Sequence, residues 1–141
     1  MAHAQGEDTK AIVQRYYAEV ILKGNFTVLE EVVAEEIVAH GPGFPDIKGR
    51  AAFLQSVQGF RAAFPDVQGT LEDVVTEGDR VVVRWTEKGT HQGEYAGRAA
   101  TGKALQWSGI SIYRLAGGKV VEMWVQMDHL GLLRQLGAVP E

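Results

Sequence analysis

The sequence predicts an α+β fold: a cone in which three amino-terminal helices pack on one face of a curved antiparallel or mixed sheet and enclose a pocket. Three observations carry that prediction. Up to Phe64 the apolar residues recur at three- and four-residue steps, the period of a helix with one buried face. From Leu71 to Met127 the period changes to two, the period of strands. Glycines at 89, 93, 97, 102 and 109 interrupt that second half and would let the sheet bend sharply. Helices first and strands after is the α+β order, with helices gathered on one sheet face. A bent sheet closed by helices leaves an internal space suited to a small ligand.

The elements follow in order. Asp8 or Thr9 is the expected cap of a first helix whose stripe is Ile12, Val13, Tyr16, Tyr17, Val20 and Ile21. Lys23-Gly24-Asn25 ends it, because glycine suits the left-handed position past a helix end. Asn25 is the expected cap of a shorter second helix, in which Thr27 and Glu30 have capping-box spacing ahead of Val32 and Val33. Residues 35–40 form a short strand candidate, and the two Pro and two Gly between His40 and Asp46 demand a loop. A third helix runs from Arg50 to Phe64, with Phe53, Leu54, Val57, Phe60 and Phe64 on one side, and Pro65 stops it. Arg61, one step from Phe60, is expected in solvent. Strands are then expected over 71–76, 81–86, 105–115 and 120–127, with tight turns at 77–80 and 116–119 and an irregular crossing from Gly89 to Gly102. Leu130 to Leu136 closes the chain as a short helix. No repeat, linker or low-complexity tract divides the 141 residues, so one domain is expected over 1–141, with its core at about 8–137.

Composition narrows the functions. A net charge of −4 without a Lys/Arg cluster argues against nucleic acid and against an anionic membrane surface. The absence of cysteine excludes disulfides, thiol catalysis and Cys-ligated zinc. His3, His40, His91 and His129 are widely spaced, with no His-x-x-x-His or Glu-x-x-His pair, so no metal is expected. The first residues lack a basic start and an apolar stretch, and no run approaches about 18 apolar residues; the expected location is the cytoplasm.

The last strand is the most informative segment. One of its faces, Val121, Met123, Val125 and Met127, is wholly apolar; the other holds Val120, Glu122, Trp124, Gln126 and Asp128. A face combining Trp, Gln and Asp is better explained as a pocket lining than as pure core or pure surface; the alternative is that Glu122 and Gln126 are solvated around a rim aromatic. Asp128, in phase with Trp124 at the strand end, is the candidate acid/base group, since a carboxylate beside an indole and away from water has a raised pKa. Its alternative role is to cap the terminal helix, a position that Asp favours. Trp85 shares its face with Val81 and Val83 and reads first as a core aromatic. His40 and His91, in irregular segments, are either hydrogen-bonded to backbone or ligand contacts. Trp107 and Tyr113 alternate with Gly109 and Ser111, which leaves space between two rings. Ser108 and Ser111 lack a Gly-x-Ser-x-Gly elbow, and no glycine-rich segment leads from a strand into a helix, so neither a serine nucleophile nor a phosphate cradle is supported.

Three segments resemble the SnoaL-like polyketide cyclases: Trp85-Thr-Glu-Lys-Gly-Thr90-His91-Gln-Gly-Glu94, Thr101-Gly102-Lys103, and Gly118-Lys119-Val-Val-Glu122-Met-Trp124-Val-Gln-Met-Asp128-His-Leu-Gly131-Leu-Leu-Arg-Gln135-Leu-Gly137. The pattern as a whole resembles the nuclear-transport-factor-2-like (NTF2-like) cone. The resemblance runs from about Asp8 to Gly137. It implies an enzyme that closes a ring of an aromatic polyketide by intramolecular aldol condensation, without metal or cofactor, and that assembles as a homodimer or larger homo-oligomer. It places Asp128 where the family has its acid/base aspartate. The implied substrate is a small, aromatic or carbonyl-rich molecule, with Trp124, Trp107, Trp85, Phe64 and Tyr16 as aromatic walls and Gln126, Gln106, His40 and His91 as polar contacts. The family usually supports its aspartate with a histidine on the neighbouring strand; here Gln106 and Ser108 occupy that region. Two alternatives stand beside cyclisation: a non-catalytic small-molecule binder on the same cone, and another reaction in the same pocket, such as epoxide hydrolysis or double-bond isomerisation.

Overall fold

The computed structural model describes residues 2–41 and 44–138, and of residues 2–7 the backbone alone. Helix α1 (Ala2–Arg15) runs directly into a π-helix, Tyr16–Leu22. Asp8 and Thr9 therefore lie inside the helix and do not cap it, since Gly6 alone among the residues before them disfavours helix strongly. Gly24, at φ 73°, ends the segment. Arg61 is not left to solvent: its guanidinium donates to the carbonyls of Ile21 at 2.7 Å and Leu22 at 3.0 Å, groups that a helix end leaves without partners.

A 3₁₀ turn (Phe26–Val28) leads into the single turn α2 (Leu29–Val32). The Asn25 side chain makes no capping bond and instead accepts from the Thr27 hydroxyl at 2.8 Å. Strands β1 (Val33–His40) and β2 (Ile47–Lys48) flank the expected loop, of which residues 42 and 43 lie outside the described residues. Then come α3 (Arg50–Ala63), β3 (Gln68–Glu77), β4 (Arg80–Thr90), β5 (Ala104–Ala116), β6 (Lys119–Met127) and α4 (His129–Gln135).

The sheet has the order β2-β1-β6-β5-β4-β3 and does not close on itself. Every neighbouring pair is antiparallel except β1 and β6, which run parallel, so the sheet is mixed. It curves around α1, the π-helix and α3, as expected of the cone. The ladder between β4 and β5 is unbroken from Arg80↔Arg114 to Thr90↔Ala104. Gly89 and Gly109 therefore sit in regular strand. Gly109 makes room for Trp85, whose ring would lie 2.5 Å from a Cβ at that position.

The concave face carries the core. Val81, Val83, Trp85 and Glu87 of β4, with Leu105, Trp107, Ser111, Tyr113 and Leu115 of β5, are all buried. On β6 the two faces are the reverse of the expected ones. Met123, Val125 and Met127 point into the concavity and pack with the core, whereas Glu122, Trp124 and Gln126 lie on the convex side. A tryptophan can sit there because it is covered: the His40 ring stacks on it at 5.5 Å, and the Arg80 guanidinium lies 5.3 Å from its centroid. A register shift between Arg114 and Leu115 leaves Val121 as an extra residue, which turns Val120 inward as well.

Candidate functional site

Between the concave face and the helices lies a cavity with two adjoining lobes. The outer lobe, about 610 Å³, reaches the surface between Phe44–Pro45, α3 and residues 94–96. Its walls are almost wholly apolar and include Tyr16, Ala39, Phe53, Phe60, Tyr95 and Met123. The inner lobe, about 190 Å³, adds Tyr17, Trp85, Glu87, Trp107, Ser111 and Tyr113. Tyr16, Ile21, Phe60, Tyr95, Met123 and Val125 border both.

The inner lobe holds a carboxylate. Glu87 continues the inward phase of β4 and is 8% exposed. One of its oxygens accepts from the Tyr17 hydroxyl at 2.7 Å, the other from the Trp107 indole N–H at 2.8 Å. Burial pushes the Glu87 carboxyl above its ordinary range, while the two donors pull it back. Tyr16, Tyr17, Tyr95 and Tyr113 are all pushed upward, first by burial and also by the Glu87 charge. They therefore keep their protons at any ordinary pH. A carboxylate shielded from water in a cavity, with its proton affinity raised by burial, is a candidate acid/base group.

A family model described as SnoaL-like polyketide cyclase matches residues 11–136. The chain belongs to the SnoaL-like polyketide cyclase family. Its superfamily is the nuclear-transport-factor-2-like one. The chain is similar to the aklanonic acid methyl ester cyclase DnrD of Streptomyces peucetius, 32% identical over 95 residues, which are 66% of this chain and 65% of DnrD. Among solved structures it is similar to a SnoaL-like polyketide cyclase candidate from Jannaschia sp. CCS1, at a TM-score of 0.88 and 23% identity over 96% of this chain and 95% of that one, a likeness of fold. It is also similar to AclR of Streptomyces galilaeus, named as a hydroxylase candidate, at a TM-score of 0.84 and 29% identity over 96% of this chain and 99% of AclR.

In this SnoaL-like chain, Tyr16, Trp85 and Trp107 come together around the cavity, and His40 borders its mouth. Both ring nitrogens of His40 are engaged by carboxylates, Nδ1 with Asp46 at 2.9 Å and Nε2 with Glu122 at 2.8 Å. Two acceptors call for two donors, so these contacts favour the imidazolium form, and the hydrogen bond to Glu122, then that to Asp46, raise the pKa of the ring. Glu122 also binds Arg114 at 3.1 Å.

The remaining candidates lie elsewhere. Asp128 is exposed and accepts from the Gly131 amide at 2.9 Å, capping α4. It edges a shallow groove with Arg84, Ser108, Ile110 and Gln126 and borders neither lobe of the cavity. Trp124 and Gln126 share its convex face. Gln106 points outward too, its backbone exchanging hydrogen bonds with the Gln135 side chain at 3.0 and 2.6 Å. His91 is fully buried against Phe64, its Nδ1 accepting from the Thr101 amide at 3.2 Å, where it pins the irregular segment 91–103. Phe64 supports the lining from behind, with ring centroids 4.7 Å from Trp107 and 5.3 Å from Tyr95. Among the described residues no group of three or more His, Asp or Glu side chains is placed to hold a metal, and no helix is long and apolar enough to cross a membrane.

Sequence reasoning passed over Glu87 and Tyr17. The signal for Glu87 was present: it stands in phase with Val81, Val83 and Trp85, a carboxylate at an inward position of a buried strand. Tyr17 had no such signal beyond its place in an apolar stripe.

Proposed function

We propose that the protein carries out cofactor-free acid/base chemistry of the polyketide cyclase kind on a small, neutral, carbonyl-rich and largely apolar molecule, with Glu87 as the group that moves the proton. The observation that carries this reading is the position of Glu87 in the inner lobe of the cavity. The outer lobe would hold the flat apolar body of the substrate, and its carbonyl end would lead toward Glu87. There the carboxylate takes a proton from a carbon flanked by carbonyls, leaving an enolate. The enolate carbon attacks a second carbonyl of the same molecule, a carbon–carbon bond forms, and the new alkoxide recovers the proton from Glu87. The Tyr16 and Tyr113 hydroxyls border the same lobe and remain protonated, so they are available as donors to developing oxyanions. Asp128, on this reading, serves stability.

Support comes from the apolar walls, from the raised proton affinity of Glu87, and from the similarity to DnrD, whose name gives it a ring-closing role. The test is solvent deuterium exchange into β-keto esters and hydroxyanthraquinone esters. Exchange should disappear in Glu87→Gln and persist in Asp128→Asn, which keeps a competent helix cap. The opposite pattern would move the base to Asp128. A second reading is a non-catalytic binder. It is favoured by the fact that both Glu87 oxygens already accept hydrogen bonds within the protein, as befits a fixed recognition group. Tight binding of such esters without exchange would select it.

A further inference from the structure

We propose that Tyr17 is a positioning residue for Glu87, fixing the orientation of the carboxylate and setting the pH range over which it exchanges its proton; this rests on the reading of Glu87 as the acid/base group.

Three features of the fold converge on this one hydroxyl. The first is the π-helix. Tyr16 and Tyr17 are neighbours in sequence, yet both are buried on the cavity side, at 4% and 6% exposure. In an α-helix successive side chains diverge by about 100°, whereas the wider turn of Tyr16–Leu22 brings neighbours closer in angle. Such turns are uncommon and gather at functional sites. This one is anchored where it ends: Arg61 holds the Ile21 and Leu22 carbonyls, and the Asn25 amide donates to Glu19 at 2.7 Å.

The second feature is Gly69. In the sheet, Gly69 of β3, Glu87 of β4 and Trp107 of β5 form one row. A Cβ at position 69 would lie 2.0 Å from the Tyr17 hydroxyl and 2.9 Å from Glu87 Cγ. Strand β3 thus has no side chain at the one place where Tyr17 must pass to reach Glu87.

The third is the absence of competing charge. Among the described residues, the titratable groups that face Glu87 are Tyr16 and Tyr17 from the π-helix, Tyr113 from β5 and Tyr95 from the segment before β5. Helix α3 contributes Phe60 and β6 contributes Met127. Lys88 is exposed on the other side of β4. With no cation nearby, the proton affinity of Glu87 is set by burial on one side and by two hydrogen-bond donors on the other. Tyr17 is the donor that can be deleted without changing the shape of the ring.

The experiment is a carbon-13 titration of glutamate-labelled protein, with the Glu87 carboxyl signal assigned by its loss in Glu87→Gln. In Tyr17→Phe the midpoint of that signal should rise by about one unit, since a donor to the charged form has gone. The acidic limb of the exchange-rate profile should move by the same amount. Gly69→Ala, whose methyl group would crowd the Tyr17 hydroxyl first and Glu87 Cγ after it, should raise the midpoint in the same direction with Tyr17 intact and gives a second reading if Tyr17→Phe folds poorly. A midpoint that stays where it is in both folded variants overturns the proposal. Absence of Glu87-dependent exchange in the wild type would instead overturn the acid/base reading, with the titration still deciding whether Tyr17 holds the carboxylate.

Discussion

His40 should stabilise the fold more strongly in mildly acidic solution than in alkaline solution. Its imidazolium joins Asp46, beyond the loop, to Glu122 on β6, and its pKa is raised above the ordinary 6.5. A group with a raised folded pKa contributes fully below its unfolded pKa and loses that contribution as the pH climbs through the folded value. Glu122 is shifted the other way, below its ordinary 4.5, by the same hydrogen bond first. Its contribution is present above 4.5 and lost as the pH falls through its folded value. The tie is therefore strongest between those two limits, and the melting temperature of His40→Ala should lag that of the wild type more at about pH 5.5 than at about pH 9. An equal lag at both would show that the ring is uncharged. Glu87 and Asp128 make the contrast at this scale: one is buried between two donors in a cavity, the other caps a helix in an open groove. Residue type alone does not separate them, because what a carboxylate does depends on the water it has lost.

At the scale of elements, Gly109 shows how one strand accommodates another's side chain. The Trp85 indole crosses it and donates to Ser111 at 3.0 Å. Gly109→Ala should cost about 1–3 kcal/mol, typical of overpacking, with a blue or red displacement of tryptophan emission as Trp85 moves. An unchanged unfolding curve would mean that the ring has room to spare. Most elements were legible from periodicity, because side-chain alternation and helical stripes are local consequences of backbone geometry. The π turn was not, since its register depends on Arg61, forty residues away. Strand β2 was not either, since two residues carry no period. The face of β6 differs from the expected one for a related reason: alternation separates two sets of side chains without saying which set meets the helices, and Trp124 is partly covered on the convex side by His40 and Arg80 instead of by a ligand.

The whole molecule decides what can enter. Among the described residues, no Lys or Arg borders either lobe, while Glu87 lines the inner one and Glu94 the outer. A ligand carboxylate taken into this space would lose its water and find no free cation among the described residues, since the His40 ring at the mouth is already held by Asp46 and Glu122. The methyl ester of an aromatic keto acid should therefore bind at least about tenfold more tightly than the free acid near neutral pH, by calorimetry. Equal affinities would place the ligand outside the cavity. The expectation of a homodimer belongs to this scale too. The apolar face of β6 is spent on the cavity and core, so any contact between sheets falls to the convex side, where Ile110 and Val75 are about half exposed.

By itself the sequence determined the class of fold and the order of most elements, because these follow from local periodicity, and it pointed to the family through the three segments that resemble it. Only the tertiary structure decided that Glu87 and not Asp128 lies in the cavity, and that Tyr17, Gly69 and Trp107 converge on it. Those residues come from four separate elements, and their meeting depends on strand register, on an unusual helical turn and on which side of the sheet the helices cover. None of these is written within the span of a single element.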